Sequence, residues 1–332
     1  MAIKKDLSDV ARPASGGPRP DTTPRFVTAV AKAWHQQYLD DGKDTRAMSG
    51  DTPFRGSDAG TCSFSLGLSL LERAGLGVRS NPPTLSATWR MNIGTMVHAA
   101  MEEILPKAFP GATCEVVGIT VEGEASFHAD VLIKQAIYCG ICDHGNVGDV
   151  SNPVACACID DPKIHTTLFE LKTINGTGFK SATIGYRKGQ DPEGPRINAV
   201  TQAALAAEAF DCDEVVIGYL SMENIGDGIA TANGLDDIGK FAAEWTFTRE
   251  QYQPIAEQER ARFRWIKATV DAGRMPDRTV PGLPDGAIIT DPTNGSWTVA
   301  DVGGSIKDIG RTWHCGYCWN QDHCINLARL NP

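Results

Sequence analysis

The stretch Leu168-Phe-Glu-Leu-Lys-Thr173 constrains this chain more than any other. It reads as a buried strand, yet it carries a carboxylate and an ammonium two residues apart. Successive strand side chains alternate between faces, so Glu170 and Lys172 leave the same face of a sheet. Burying such charge is costly unless each group has work or a partner. A carboxylate that grips a divalent cation beside a lysine that orients or deprotonates a water and neutralises developing charge is what metal-dependent hydrolysis requires. The bland alternative is an ordinary ion pair, and the triplet alone decides little. Asp41-Gly-Lys43 and Asp161-Pro-Lys163 share the spacing but fall in turn-rich sequence with no fixed face.

Two further groups raise the weight of the pair. Thr84 to Phe109 reads as a long helix on which Gly94, His98 and Glu102 recur every four residues and share one stripe. The glycine allows close approach to a sheet and brings the His98 imidazole inward. Thr113 to Val121 and Ala125 to Lys134 read as two strands around Glu122-Gly123-Glu124. In the second, Phe127, Ala129, Val131 and Ile133 are expected on one face, with His128, Asp130 and Leu132 on the other. Asp130 is an acid in an apolar strand and calls for a partner or a metal.

Ten cysteines in a chain whose start lacks an apolar signal region argue for metal sites over disulfides. Cys139, Cys142, Cys156 and Cys158 sit in an insertion poor in apolar residues, expected over 138–160, that a structural zinc would brace. His144 or His165 could replace a cysteine there, and free thiols are the alternative. Cys315, Cys318 and Cys324 near the end are one ligand short of a four-thiolate site. Cys62, at the start of a helix expected over 62–74, is the natural fourth, with zinc and an iron-sulfur cluster both compatible.

The remainder reads as connecting structure. Residues 1–24 form a Pro- and Gly-rich leader, Phe26 to Tyr38 a helix, and residues 25–332 one domain. Gly176, Gly178, Gly185 and Gly189 suggest a mobile loop bearing Lys180, Tyr186, Arg187 and Lys188. Its Gly-Thr-Gly-Phe-Lys-Ser run fails the spacing of a phosphate-binding P-loop. Ile197 to Phe210 is an alanine-rich helix that offers Gln202 to the site. Glu214 to Met222 and Glu244 to Phe247 read as strands. Arg249 to Ala272 is a helix with a solvated basic face, and Gly273 to Ile309 an extended loop. No apolar run approaches membrane-spanning length, so a cytoplasmic protein without membrane contact is expected. The net charge of −10 argues against a simple nucleic-acid binder but not against a nuclease with an acidic metal site.

The order Cys62, Gly94-x3-His98, Asp130, Glu170-x-Lys172, Gln202, then Cys315-x2-Cys318-x5-Cys324 resembles the RecB-like branch of the PD-(D/E)XK nuclease superfamily. In particular it resembles the CRISPR-associated iron-sulfur exonucleases and their phage relatives. The resemblance spans roughly Cys62 to Cys324. It implies an α/β restriction-endonuclease-like core, a central mixed sheet flanked by helices, with cluster-binding segments at 62–75 and 313–324. It further implies that His98, Asp130, Glu170 and the Leu171 carbonyl hold magnesium or manganese, that Lys172 is the catalytic lysine, and that the four cysteines bind a 4Fe-4S cluster. The expected activity is hydrolysis of DNA, as an exonuclease on single-stranded ends, in bacterial or phage-infected host cytoplasm. A protein partner in recombination or CRISPR adaptation would fit that role. The alternative from another class is a non-catalytic DNA-end-binding or adaptor protein on the same fold. Where the family often carries a tyrosine four residues after the glutamine, this chain has Ala206, which leaves Tyr186 or Tyr219 to supply a DNA contact.

Overall fold

The computed structural model describes Lys32, Gln36 and residues 52–76, 84–109, 111–137, 163–185, 190–281, 283, 287–300, 306–311, 315, 318 and 320–330. The expected leader at 1–24, the cysteine insertion with Cys139, Cys142, Cys156 and Cys158, and Tyr186 to Gly189 lie outside the described residues. So does the helix expected over Phe26 to Tyr38, apart from Lys32 and Gln36.

Alternating apolar runs build a six-stranded mixed sheet: β1 (Phe54–Arg55), β2 (Ala112–Ile119), β3 (Ala125–Ile137), β4 (Lys163–Ile174), β5 (Glu214–Ser221) and β6 (Ala242–Thr248). The order is β1-β3-β4-β5-β6, and β2 pairs with β3. The β2–β3, β3–β4 and β5–β6 pairs are antiparallel, whereas β4 and β5 are parallel. A parallel pair cannot be joined by a tight turn, and the crossover here is made by α3 (Gly176–Ile184) and α4 (Ile197–Ala209). The β2–β3 hairpin turns where the sequence predicts, with Gly123 at φ 77°.

Small side chains let α4 lie close to the sheet: Ala199, Ala203, Ala204, Ala206 and Ala207 are all buried. Tyr252, Phe263 and Ile266 of α6 (Arg249–Asp271) close the same core, with the Phe263 ring stacked on Phe54 at 4.5 Å. Burying a side chain of this size stabilises the fold by about 1.5–3 kcal/mol. Before the sheet's main strands, α1 (Ser63–Arg73) packs toward α6, while α2 (Leu85–Ala108) starts at Thr84, whose hydroxyl accepts from Ala87 N at 3.2 Å. The short α5 (Asp227–Ala232) and the terminal α7 (Gln321–Leu330) complete the helices described.

Four expectations need correction. The glycine-rich stretch after β4 is α3 over Gly176–Ile184, because Asn175 Oδ1 caps Gly178 N at 2.7 Å. At Gly178 a Cβ would meet Ile174 at 3.0 Å, so that glycine serves close packing rather than mobility. The stretch of Gly273 to Ile309 is not loop throughout: from Ile288 it carries an antiparallel sheet of β7 (Ile288–Asp291), β8 (Ser296–Ala300) and β9 (Ile306–Arg311). Its strands are short, and the Asp291-Pro-Thr-Asn-Gly295 turn masked their alternation. The basic residues of α6 are not all solvated: Arg260 binds Glu208 at 2.9 Å, and Arg262 binds Glu259 at 2.7 Å. Finally, the faces of β3 exchange at Asp130. Phe127, Ala129 and Leu132 join the main core, while Val131 and Ile133 pack with Leu105 of α2.

Candidate functional site

The exchange of faces coincides with an opening of the sheet. The β3–β4 ladder stops at Val131 opposite Phe169, one pair short of Asp130 and Glu170. Beyond that point the Leu171 N–H would have no strand partner, and Asp130 Oδ2 accepts it at 2.7 Å. Asp130 Oδ1 lies 3.3 Å from His98 Nδ1 of α2. The helix passes β4 at Gly94, where an added Cβ would stand in ordinary contact, 3.4 Å, with the Thr173 hydroxyl.

On β4 itself, Glu170 is 1% exposed and Lys172 30%. Lys172 Nζ donates to Glu170 Oε1 at 2.5 Å and to Gln202 Oε1 of α4 at 3.1 Å. Glu170 Oε2 is buried with no hydrogen-bond partner among the described residues. A buried acceptor of this kind fits a cation, as does the mixed imidazole and carboxylate donor set. His98 and Asp130 meet at the opening of the sheet, and beside it Lys172 bridges Glu170 and Gln202; among the described residues Glu170 presents no oxygen within 4.8 Å of ligand atoms of both His98 and Asp130.

Burial raises the Glu170 carboxyl above its usual range, and the Lys172 charge only partly offsets it. For Lys172, burial acts downward, but the Glu170 charge and hydrogen bond outweigh it, so the group stands above its ordinary value and is an ammonium at neutral pH. The Asp130 hydrogen bond raises His98.

One residue at the site escaped the sequence reading. Glu115 of β2 offers a carboxylate oxygen that, with His98 and Asp130, forms a group whose ligand atoms all lie within 4.8 Å of one another. The signal that could have found it is an acid in the middle of Thr113-Cys-Glu-Val-Val117, across the expected hairpin from Asp130.

Of the two tyrosines expected to replace the family's DNA contact, Tyr186 lies outside the described residues. Ala206 is in the core, and Tyr219, also buried, accepts the Arg196 N–H at 2.7 Å and packs edge-on against Trp245. Its hydroxyl is committed within the fold. His165 lies 3.6 Å from Asp213 and 3.4 Å from Glu214, which gives it partners of its own.

A second feature lies at the N-terminus of α1, where Cys62 precedes Ser63. Cys62, Cys315, Cys318 and Cys324 line one cavity of about 350 Å³, its open mouth included, with Phe64, Arg278 and Ile289. Cys62 is placed by its neighbours: Gly60 N donates to Glu259 Oε1 at 2.9 Å, and Arg262 Nη1 donates to the Thr61 carbonyl at 2.8 Å. Asn320, buried, ties the tail to α1 through Ser65 O at 3.0 Å and Ser69 Oγ at 3.1 Å. Arg278 Nε lies 3.2 Å from Cys324 Sγ. Burial pushes the Cys62 thiol up to about 11 and Cys315 up to about 12, so a metal binding here would displace protons. Among the described residues no three of these sulfurs lie within 4.8 Å of one another.

No family model and no curated protein matches the chain. Among solved structures it is similar to that of SSO0001, at 14% identity and a TM-score of 0.36, over 70% of this chain and 85% of that one. Likeness at this level carries no argument. Among the described residues no helix is long and apolar enough to cross a membrane.

Proposed function

We propose that the chain is a metal-dependent deoxyribonuclease of the RecB-like PD-(D/E)XK type, with a restriction-endonuclease-like core, acting on single-stranded DNA ends. The observation that carries this reading is the double engagement of Asp130, which stands between His98 and the Leu171 N–H where β3 and β4 part. That position puts acids from two strands, an imidazole from α2 and a half-buried lysine near one opening.

His98, Asp130 and Glu170, with the Leu171 carbonyl, hold magnesium or manganese. The cation supplies Lewis acidity and a more acidic bound water. Lys172, held between Glu170 and Gln202, would orient or deprotonate the nucleophilic water and offset charge on the phosphate. Gln202 fixes the lysine from the opposite side through the 3.1 Å contact.

Cys62, Cys315, Cys318 and Cys324 hold a 4Fe-4S cluster that belts the tail to α1. A single tetrahedral zinc needs sulfurs about 3.8 Å apart, given Zn–S bonds of about 2.3 Å. The wider spread of these four thiols favours a cluster. Zinc for the insertion at 138–160 remains part of the proposal on sequence grounds alone.

The test is digestion of strand-end-labelled DNA in anaerobic buffer. Cleavage of single strands is expected only with magnesium or manganese, and Lys172→Ala is expected to lose at least about a hundredfold in rate. Binding without cleavage across both metals would instead support the adaptor reading.

A further inference from the structure

Glu115 departs from the regular backbone within its own strand. It is one of two non-glycine residues described with positive φ, at 51°, a backbone state that costs a residue of this type about 1–3 kcal/mol. The β2–β3 pairing runs through Cys114 with Val131 and Val116 with Ala129, and Glu115 opposite Asp130 is missing from it. Three elements thus bring an imidazole and two carboxylates to one point. Glu102 of α2 adds a third carboxyl, hydrogen-bonded to Glu115. His98 and, 3.5 Å from Glu115, His128 are the basic groups in contact with these acids. Crowded carboxylates repel unless a proton or cation lies between them. An independent sign of a ligand comes from Glu170, 1% exposed, which interacts electrostatically with both Asp130 and His98 and has an unpartnered Oε2.

We infer that Glu115 is a third side-chain donor, with His98 and Asp130, to a divalent cation, and that this donor set favours Mn²⁺ over Mg²⁺. The inference deepens the metal-dependent reading above and rests on it only for the use made of the cation. Glu170 Oε1 is engaged by Lys172, whereas Glu115 comes from an edge strand and adds negative charge on the other side of Asp130. Imidazole nitrogen suits transition ions better than magnesium, which prefers oxygen and water. These three side chains leave about three positions of an octahedral ion to be shared among Glu170, the Leu171 carbonyl, water and phosphate oxygens.

The experiment is a Mn²⁺ titration of the full chain without DNA, read by the paramagnetic resonance of the free ion and repeated with Mg²⁺ as competitor. Glu115→Gln is expected to weaken Mn²⁺ binding about tenfold or more. Glu103→Gln, on the exposed side of α2 and paired with Lys107, is expected to leave it unchanged. Thermal unfolding in chelator checks that the variants fold. Should Glu115→Gln fail to fold, Glu115→Asn, which tolerates the left-handed backbone, carries the same expectation. A variant titration that superimposes on the wild type overturns the inference, as does Mg²⁺ displacing Mn²⁺ at equal concentration. Tight Mn²⁺ binding by a wild type that cuts no DNA would remove the nuclease reading and leave this site standing.

Discussion

Leu171 donates its backbone N–H to Asp130 Oδ2 at 2.7 Å, beyond the last rung of the ladder between their strands. One carboxylate therefore completes the backbone and faces His98. Asp130→Asn keeps an acceptor for Leu171, whereas Asp130→Ala orphans the donor at a cost of about 1–3 kcal/mol. In chelator, the alanine variant should melt below the asparagine variant, while neither cleaves DNA. Equal melting temperatures for the two would show that the bond adds nothing to the fold.

Gln202 touches Lys172 and not the acids that would bind metal, so its loss should disturb rate more than affinity. Gln202→Leu is expected to lower kcat by up to about a hundredfold through misplacement of the ammonium, with KM little changed. Lys172→Arg should not recover activity, because a planar guanidinium cannot occupy the position of Nζ between Glu170 and Gln202. Steady-state rates on labelled single strands decide both.

Glu259, 3% exposed, holds the Gly60 N–H and the Arg262 guanidinium, and Arg262 in turn holds Thr61. Glu259→Ala leaves a half-buried arginine without its counter-charge and frees the segment ahead of Cys62. A loss of about 3 kcal/mol is expected, together with less iron retained per chain. Denaturant unfolding and metal analysis of the same preparation test the two parts.

Arg278 supplies an N–H to Cys324 and a positive charge to the cysteine cavity. On the proposed cluster both would stabilise added negative charge, so Arg278→Ala should lower its reduction potential. A redox titration followed by visible absorption measures the shift, and an unchanged midpoint would separate Arg278 from the cluster.

Acid should weaken the fold through Glu124. Burial works to raise its carboxyl, but the Thr120 hydroxyl, its own backbone, Arg264 and Arg260 together hold it below its ordinary 4.5. A depressed folded value adds stability that is present above 4.5 and is lost as pH falls through the folded value. The stability difference between wild type and Glu124→Gln is expected to shrink as pH drops below about 4.5, as urea unfolding at stepped pH would show.

Much of this was legible in the chain because it depends on short repeats. The pairing of Glu170 with Lys172, the stripe of Gly94 and His98, and the alanine face of α4 follow from periods of 2 and 3.6 residues. Where a local signal was weak, the reading failed. Glycines that serve packing in α3 looked like a flexible loop, and the short strands of β7 to β9 were hidden by their turns.

The sequence by itself determined which residue types meet the chemistry: a lysine and acid on one strand face, a histidine on a helix stripe, and cysteines at ligand spacing. Only the tertiary structure decided that Asp130 turns to the Leu171 N–H and that Glu115 joins His98. Those meetings depend on where β3 and β4 part and on how distant segments pack. No local periodicity encodes them, because each is settled by contacts between residues far apart along the chain.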